Sequence, residues 1–148
     1  MKTIVTVLLL LFCVNTLQAQ GNFTVVESPF SVKVTMDKLE TVIKKRKMTV
    51  FARINHSEGA EKMKMQLRPT EVILFGNPKI GTLLMQSNQE IGIDLPLKIL
   101  VYQSEKKVLI KYYDGSYLAK KYKIKDKKET ISKIDNALNG IVNAALKK

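Results

Sequence analysis

Thr70-Glu71-Val72-Ile73-Leu74-Phe75 is a largely apolar run of strand length, cut off by the sharp punctuation Gly76-Asn77-Pro78. A run this apolar suits a buried strand rather than one with a solvated face. Asn77 can cap a helix and Pro78 can take its first position, so the strand is expected to turn straight into a short helix through Leu83, Leu84 and Met85. Gly81 weakens that helix. Upstream, Met48 to Ile54 alternates and is rich in β-branched and aromatic residues, which predicts a second strand. His56-Ser57-Glu58-Gly59 reads as a loop after it, and Ala60 to Gln66 as a short helix that stops before Arg68-Pro69. Further back, Ser31 caps an expected helix running to about Lys47, with Val32, Met36, Leu39 and Ile43 on one face. Its closing Lys44-Lys45-Arg46-Lys47 suits the negative end of the helix dipole. Phe23 to Glu27 makes a first strand, ended by Ser28-Pro29.

Downstream, Ser87 to Glu90 reads as a polar loop leading to Ile91-Gly92-Ile93-Asp94-Leu95-Pro96. Leu97 to Tyr102 and Val108 to Tyr113 form a predicted hairpin across Glu105-Lys106-Lys107, with Pro96 at a strand entrance or an edge. Asp114-Gly115 turns the chain, Tyr117 to Tyr122 gives one or two helical turns, and Asp126 with Glu129 fits a capping box. The last helix then carries the apolar stripe Ile131, Ile134, Leu138, Ile141, Val142 and Ala145. Five strands and two long helices near the ends indicate an α+β sheet with helices packed on one face.

The first nineteen of the 148 residues have the parts of an export signal: Lys2, the apolar run Ile4 to Val14, and Leu17-Gln18-Ala19 with a small residue at the cleavage point. The run is about half the roughly 20 apolar residues a membrane-spanning helix needs. Phe12 is bulky where a lipoprotein signal needs a small residue before its cysteine, so no lipid anchor is expected at Cys13. Residues 20–148 are therefore expected to work as one extracytoplasmic domain, periplasmic or secreted. With Cys13 the only cysteine, that domain has no disulfide, thiol nucleophile or thiolate ligand, and packing must stabilise it. The net charge of +12 is uneven. From residue 98 onward thirteen lysines face five acids, whereas residues 20–97 carry eleven basic and eight acidic side chains. Such an excess in the C-terminal third suits an anionic envelope surface.

Four ordered blocks match a known pattern: Phe51-Ala52-Arg53-Ile54-Asn55-His56, Arg68-Pro69-Thr70-Glu71, Leu74-Phe75-Gly76-Asn77-Pro78-Lys79 with Gly81-Thr82 and Leu84-Met85, and Ile93-Asp94-Leu95-Pro96-Leu97-Lys98. Together they resemble the bacterial domain of unknown function 302 family over about Ser28 to Tyr122. The resemblance implies a two-layer fold similar to the TATA-binding-protein class, in the order β-α-β4-α, and a homodimer. It implies no nucleic-acid binding, because a fold does not carry function by itself. The family usually has Asp before the histidine, where this chain has Asn55.

His56 is the lone histidine, and nucleophilic signatures such as Gly-x-Ser-x-Gly are missing. The leading expectation is a non-enzymatic small-ligand-binding or interaction domain. Its pocket would be bordered by the His56 segment and the turns Gly76-Asn77-Pro78 and Asp94-Leu95-Pro96, with His56, Arg53, Glu71, Asn77 and Asp94 as candidate ligand-binding residues. On that reading His56→Asn would keep stability and remove the ligand. A second expectation is a metal or cofactor handler, in which His56 joins Met63, Met65 or Met85 as a soft donor set. One histidine without cysteines does not make a tetrahedral zinc site. The aromatic and basic stretch Tyr112 to Tyr122 has the residue types that stack on sugars or bases, but a strand turning its tyrosines inward accounts for it more simply.

Overall fold

The computed structural model describes residues 23–147, and the expected export signal lies outside them. Five strands, β1 (Thr24–Ser28), β2 (Thr49–Asn55), β3 (Thr70–Gly76), β4 (Leu97–Ser104) and β5 (Lys107–Tyr112), form one antiparallel sheet in the order β1-β5-β4-β3-β2. The two strands nearest in sequence to α1 (Val32–Lys45) thus sit at opposite edges of the sheet. A helix of 14 residues rises about 21 Å, close to the roughly 19 Å from a first strand to a fifth. The helix length therefore fits the crossing. The expected β-α-β4-α order holds, with α5 (Lys128–Ala145) as the final helix.

Pairing register sorts the strand residues by face. Thr24, Tyr112, Ile99, Ile73 and Arg53 stand in one row across the sheet, on the side that α1 covers. Ile73 and Ile99 are fully buried there beside Met36, Leu39 and Ile43 of α1, and α5 adds Leu138, Ile141 and Val142. The next row, Val25, Lys111, Leu100, Val72 and Ile54, faces the other way and is half-buried or exposed.

Ser31 caps α1 as expected, and Asn77 with Pro78 opens α3 (Pro78–Ser87). Three expectations are corrected. The segment 56–59 is the first turn of α2 (His56–Lys62), not a loop, because Asn55 Oδ1 accepts the Glu58 backbone N–H and caps it. Residues 63–66 follow that helix rather than belonging to it. The expected polar loop is helical: α3 runs to Ser87 and a short 3₁₀ helix spans Gln89–Ile93. Lastly, Asp126 does not cap α5; the N-cap is Lys127 without a side-chain bond, and the Asp126 carboxylate accepts from Ser87 Oγ at 2.8 Å instead.

The start of α4 (Gly115–Lys121) shows a tertiary substitute for a local cap. Asp114 precedes it but accepts from Thr24 Oγ1. Asp135 of α5 takes the Gly115 and Ser116 backbone N–H groups and the Ser116 hydroxyl. A Cβ at Gly115 would come within 2.9 Å of Ile134 Cγ2, so only glycine lets α4 approach α5 this closely.

Candidate functional site

The five candidate residues separate into two groups. Asn55 pairs with Glu71 at one end of the β2–β3 ladder, and Thr49 pairs with Gly76 at the other. His56, Arg53 and Glu71 therefore lie towards one end of the sheet. Asn77 follows Gly76, and Asp94 precedes β4, whose Leu97 pairs with Phe75, so both lie at the opposite end. The single pocket expected between the His56 segment and the two turns does not form.

At the first end Arg53 points to the covered face, an unusual place for a guanidinium. It is held by carboxylates on two layers: Nε donates to Glu71 Oε2 at 2.7 Å, and a terminal nitrogen donates to Asp37 at 2.6 Å and Glu40 at 3.2 Å on α1. Burial pulls the guanidinium pKa down, but bonds to Glu71, Asp37 and Glu40 outweigh it and hold the charge above the usual arginine range. Bonds from Lys33 and then Arg53 lower the pKa of Asp37; Glu40 is lowered mainly by Lys44, with Arg53 adding to it. The cluster bolts α1 to the sheet. His56 itself is exposed at the first turn of α2. Asn55, where the resemblance led to an expectation of Asp, caps that turn and also accepts from Ser57 Oγ at 2.7 Å. Asn and Asp cap equally well, so the replacement keeps the local structure.

The soft-donor set is not assembled either. His56 opens α2 and Met63 is its C-cap, a rise of about 10 Å along the helix. Met63 and Met65 are highly exposed, at 73% and 68%. Met85 is partly buried against the core, with its sulfur facing Gly92.

At the second end there is a cavity of about 220 Å³, between α3, the entrance of β4 and α5. Met48, Ile80, Leu84, Leu95, Leu97, Ile134 and Ala137 give it apolar walls. Gly76 and Gly81 also line it, and Asn77 and Lys133 supply its polar groups. Asn77 Oδ1 is already used on the Lys79 backbone N–H, and Lys133 pairs with Glu129 at 2.6 Å on the exposed side of α5. Asp94 precedes Leu95, which lines this cavity, and does not line it itself. Its carboxylate accepts from Lys121 Nζ at 2.7 Å and from the Tyr122 hydroxyl at 2.6 Å. Burial raises the Asp94 pKa, yet these two bonds and the Lys121 charge bring it below its ordinary value. The sequence signalled both turns of this end through Gly76-Asn77-Pro78 and Leu95-Pro96. The α5 wall, Lys133, Ile134 and Ala137, it did not signal, because nothing local says which face of a C-terminal helix meets a strand end.

Among the aromatic side chains of the Tyr112 to Tyr122 stretch, Tyr112 and Tyr122 are buried. Burial and the nearby Asp114 push the Tyr112 hydroxyl up to about 12. Phe23, Tyr113 and Tyr117 stack on one another at 4.5 and 4.8 Å, and Lys111 Nζ sits 4.0 Å from the Phe23 ring centre. Their faces are largely spent within the domain.

Residues 24–141 match the model of the family described as "Domain of unknown function DUF302". The chain belongs to that family. A crystal structure of an uncharacterized conserved DUF302 protein from Bacillus stearothermophilus superposes with a TM-score of 0.74 at 19% identity, covering 84% of this chain and 98% of that one. It shares the fold. The chain is also 39% identical over 100 residues, 67% of its length, to the fluoride-specific ion channel FluC 1 of Brucella suis biovar 1 (strain 1330), of which this is 39%. The fluoride-specific ion channel FluC 2 of Brucella melitensis biotype 1 gives the same identity over 37% of its length. The chain thus spans under two-fifths of these curated relatives. No helix among the described residues is long and apolar enough to cross a membrane.

Proposed function

We propose that this DUF302 domain is a non-enzymatic extracytoplasmic binding module whose ligand is a small apolar molecule held between α3, the β4 entrance and α5. The observation that carries the reading is the apolar cavity of about 220 Å³ at that end of the sheet. It exceeds the roughly 150 Å³ that suffices for benzene in an engineered cavity and falls below the roughly 300 Å³ at which drug-sized pockets begin. A single ring or a short acyl chain fits such a space. One amide and one ammonium at its border suit orientation of a ligand rather than proton transfer, which needs a base beside the reacting group.

The test is calorimetry and thermal shift with a series of linear carboxylates of four to twelve carbons and a matched series of alkylbenzenes. Saturable binding with an optimum length, lost in Ala137→Phe while the circular dichroism spectrum is kept, supports the reading. No binding in either series overturns it. Gly81→Ala offers a milder check: its Cβ would lie 3.7 Å from Leu95 Cδ1, an ordinary contact, and would narrow the cavity. It is expected to add about 0.5–1 kcal/mol through helix propensity while weakening the longest ligands.

Homodimerisation, expected from the resemblance, finds support in the uncovered sheet face. Val72 and Leu100 stand in register there with the exposed Ile54. Leu100→Lys should then convert a dimer to a monomer in light scattering; a chain already monomeric at high micromolar concentration contradicts the proposal.

A further inference from the structure

Lys120-Lys121-Tyr122-Lys123-Ile124-Lys125-Asp126-Lys127-Lys128 joins α4 to α5 and has six lysines in nine residues. Tyr122 and Ile124 are buried, each at 8% exposure, so their neighbours Lys121, Lys123 and Lys125 are driven outward. Lys121 pairs with Asp94 and Lys127 with Asp126. Among the described residues no carboxylate pairs with Lys120, Lys123, Lys125 or Lys128.

This segment is fastened to the 3₁₀ helix at several points. Asp94 binds Lys121 and Tyr122, the Asn88 side-chain amide donates to the Tyr122 carbonyl at 2.9 Å, and Ser87 donates to Asp126. Next to Asp94 stands Ile93, 80% exposed, the most exposed large apolar side chain described. Lys98 adds another cation at this place, its Nζ donating to the carbonyls of Asp94 and Pro96 at 3.0 and 3.1 Å. A lone exposed isoleucine needs no explanation by itself. One that adjoins Asp94, whose carboxylate holds Lys121 of this lysine-rich segment, supplies with it the two signals that peripheral membrane binding requires, an apolar anchor and a polybasic surface.

We infer that the face formed by the Lys120–Lys128 segment with Ile93 docks the domain on an anionic phospholipid surface. The ammonium groups meet lipid phosphates while Ile93 enters the acyl boundary. A single-stranded nucleic acid would want exposed rings to stack on, and the one ring in the segment, Tyr122, is buried and bonded through its hydroxyl to Asp94. This inference is independent of the apolar cavity: a domain with an empty cavity would still dock.

The test is co-sedimentation of the purified chain with vesicles of phosphatidylcholine alone and of phosphatidylcholine with 30 mol% phosphatidylglycerol, at 50 and 300 mM salt. Binding is expected on the anionic vesicles only and should weaken steeply with salt. Lys120→Gln/Lys125→Gln/Lys128→Gln should lower affinity about 100-fold, at roughly fivefold per lysine. Ile93→Ser should lower it about tenfold, and Ile93→Leu should retain it, with unchanged circular dichroism as the folding control. Equal binding to neutral vesicles, or Ile93→Ser binding like the parent, overturns the arrangement. Tighter binding to a 30-base-pair DNA duplex than to anionic vesicles at equal phosphate would assign the face to nucleic acid instead.

Discussion

Arg53 and Glu71 sit diagonally on adjacent strands, and Arg53 Nε donates to Glu71 Oε2 at 2.7 Å on the covered face of the sheet, where the Glu71 side chain is only 7% exposed. Deleting one partner of a buried pair leaves an uncompensated charge, at about 3–5 kcal/mol. Arg53 is a quarter exposed, so Arg53→Ala is expected at the lower limit, about 3 kcal/mol, in urea denaturation. Combining it with Glu71→Gln should recover part of the loss, since both charges are then gone. Strictly additive losses would show that the two side chains are not coupled.

Acid should weaken the fold through Asp37, Glu40 and Asp94. Each has its carboxyl pKa lowered by bonded cations or hydroxyls in the folded chain. A group with a depressed folded pKa contributes stability above its unfolded value, and that contribution is lost as pH falls through the folded value. The urea midpoint is therefore expected to hold from pH 7 to about 5 and to decline below the ordinary carboxylate values of 3.8 and 4.5. Asp94→Asn should start lower at pH 7 and fall less steeply in acid. An Asp94→Asn curve parallel to the parent's would remove Asp94 from this account.

Three helices end in the same way. Lys47, Lys64 and Lys123 have φ of 58°, 58° and 54° just past α1, α2 and α4. In each case the following N–H returns to the carbonyl five residues back: Met48 to Ile43, Met65 to Ala60 and Ile124 to Ala119. This left-handed stop normally takes glycine. Relief of the Cβ clash is worth about 1–2 kcal/mol, partly offset by losing a cation at the helix end. Lys47→Gly, Lys64→Gly and Lys123→Gly should each raise stability by about 0.5–1 kcal/mol, additively, in thermal or urea unfolding.

The place of His56 in the fold changes what its substitution is expected to do. Its ring is exposed at the start of α2, at the sheet end away from the cavity. His56→Asn is expected to change stability by no more than about 0.5 kcal/mol. It should also leave binding of apolar ligands in the cavity unchanged, whereas a pocket bordered by His56 would lose the ligand the protein carries. A mutant that binds them more than tenfold more weakly would place the imidazole in the site after all.

The sequence by itself determined what depends on neighbours in the chain. The alternation in Met48–Ile54, the apolar run Thr70–Phe75, the Ser31 and Asn77 caps and the stripe of the last helix announce their elements through side-chain period and local backbone chemistry. The family blocks added the order of the strands' connections. Tertiary structure decided what depends on partners far along the chain. Asp135 replaced Asp114 as the cap of α4, and Ser87 drew Asp126 away from α5, because a carboxylate bonds whichever donors folding brings to it. Register did the rest. It turned Arg53 to the covered face towards Asp37, Glu40 and Glu71. The direction of the β2–β3 ladder also placed His56 and Asn77 at opposite ends of the sheet. Neither outcome is written in a local pattern, since both follow from how strands pair and from which helix covers them.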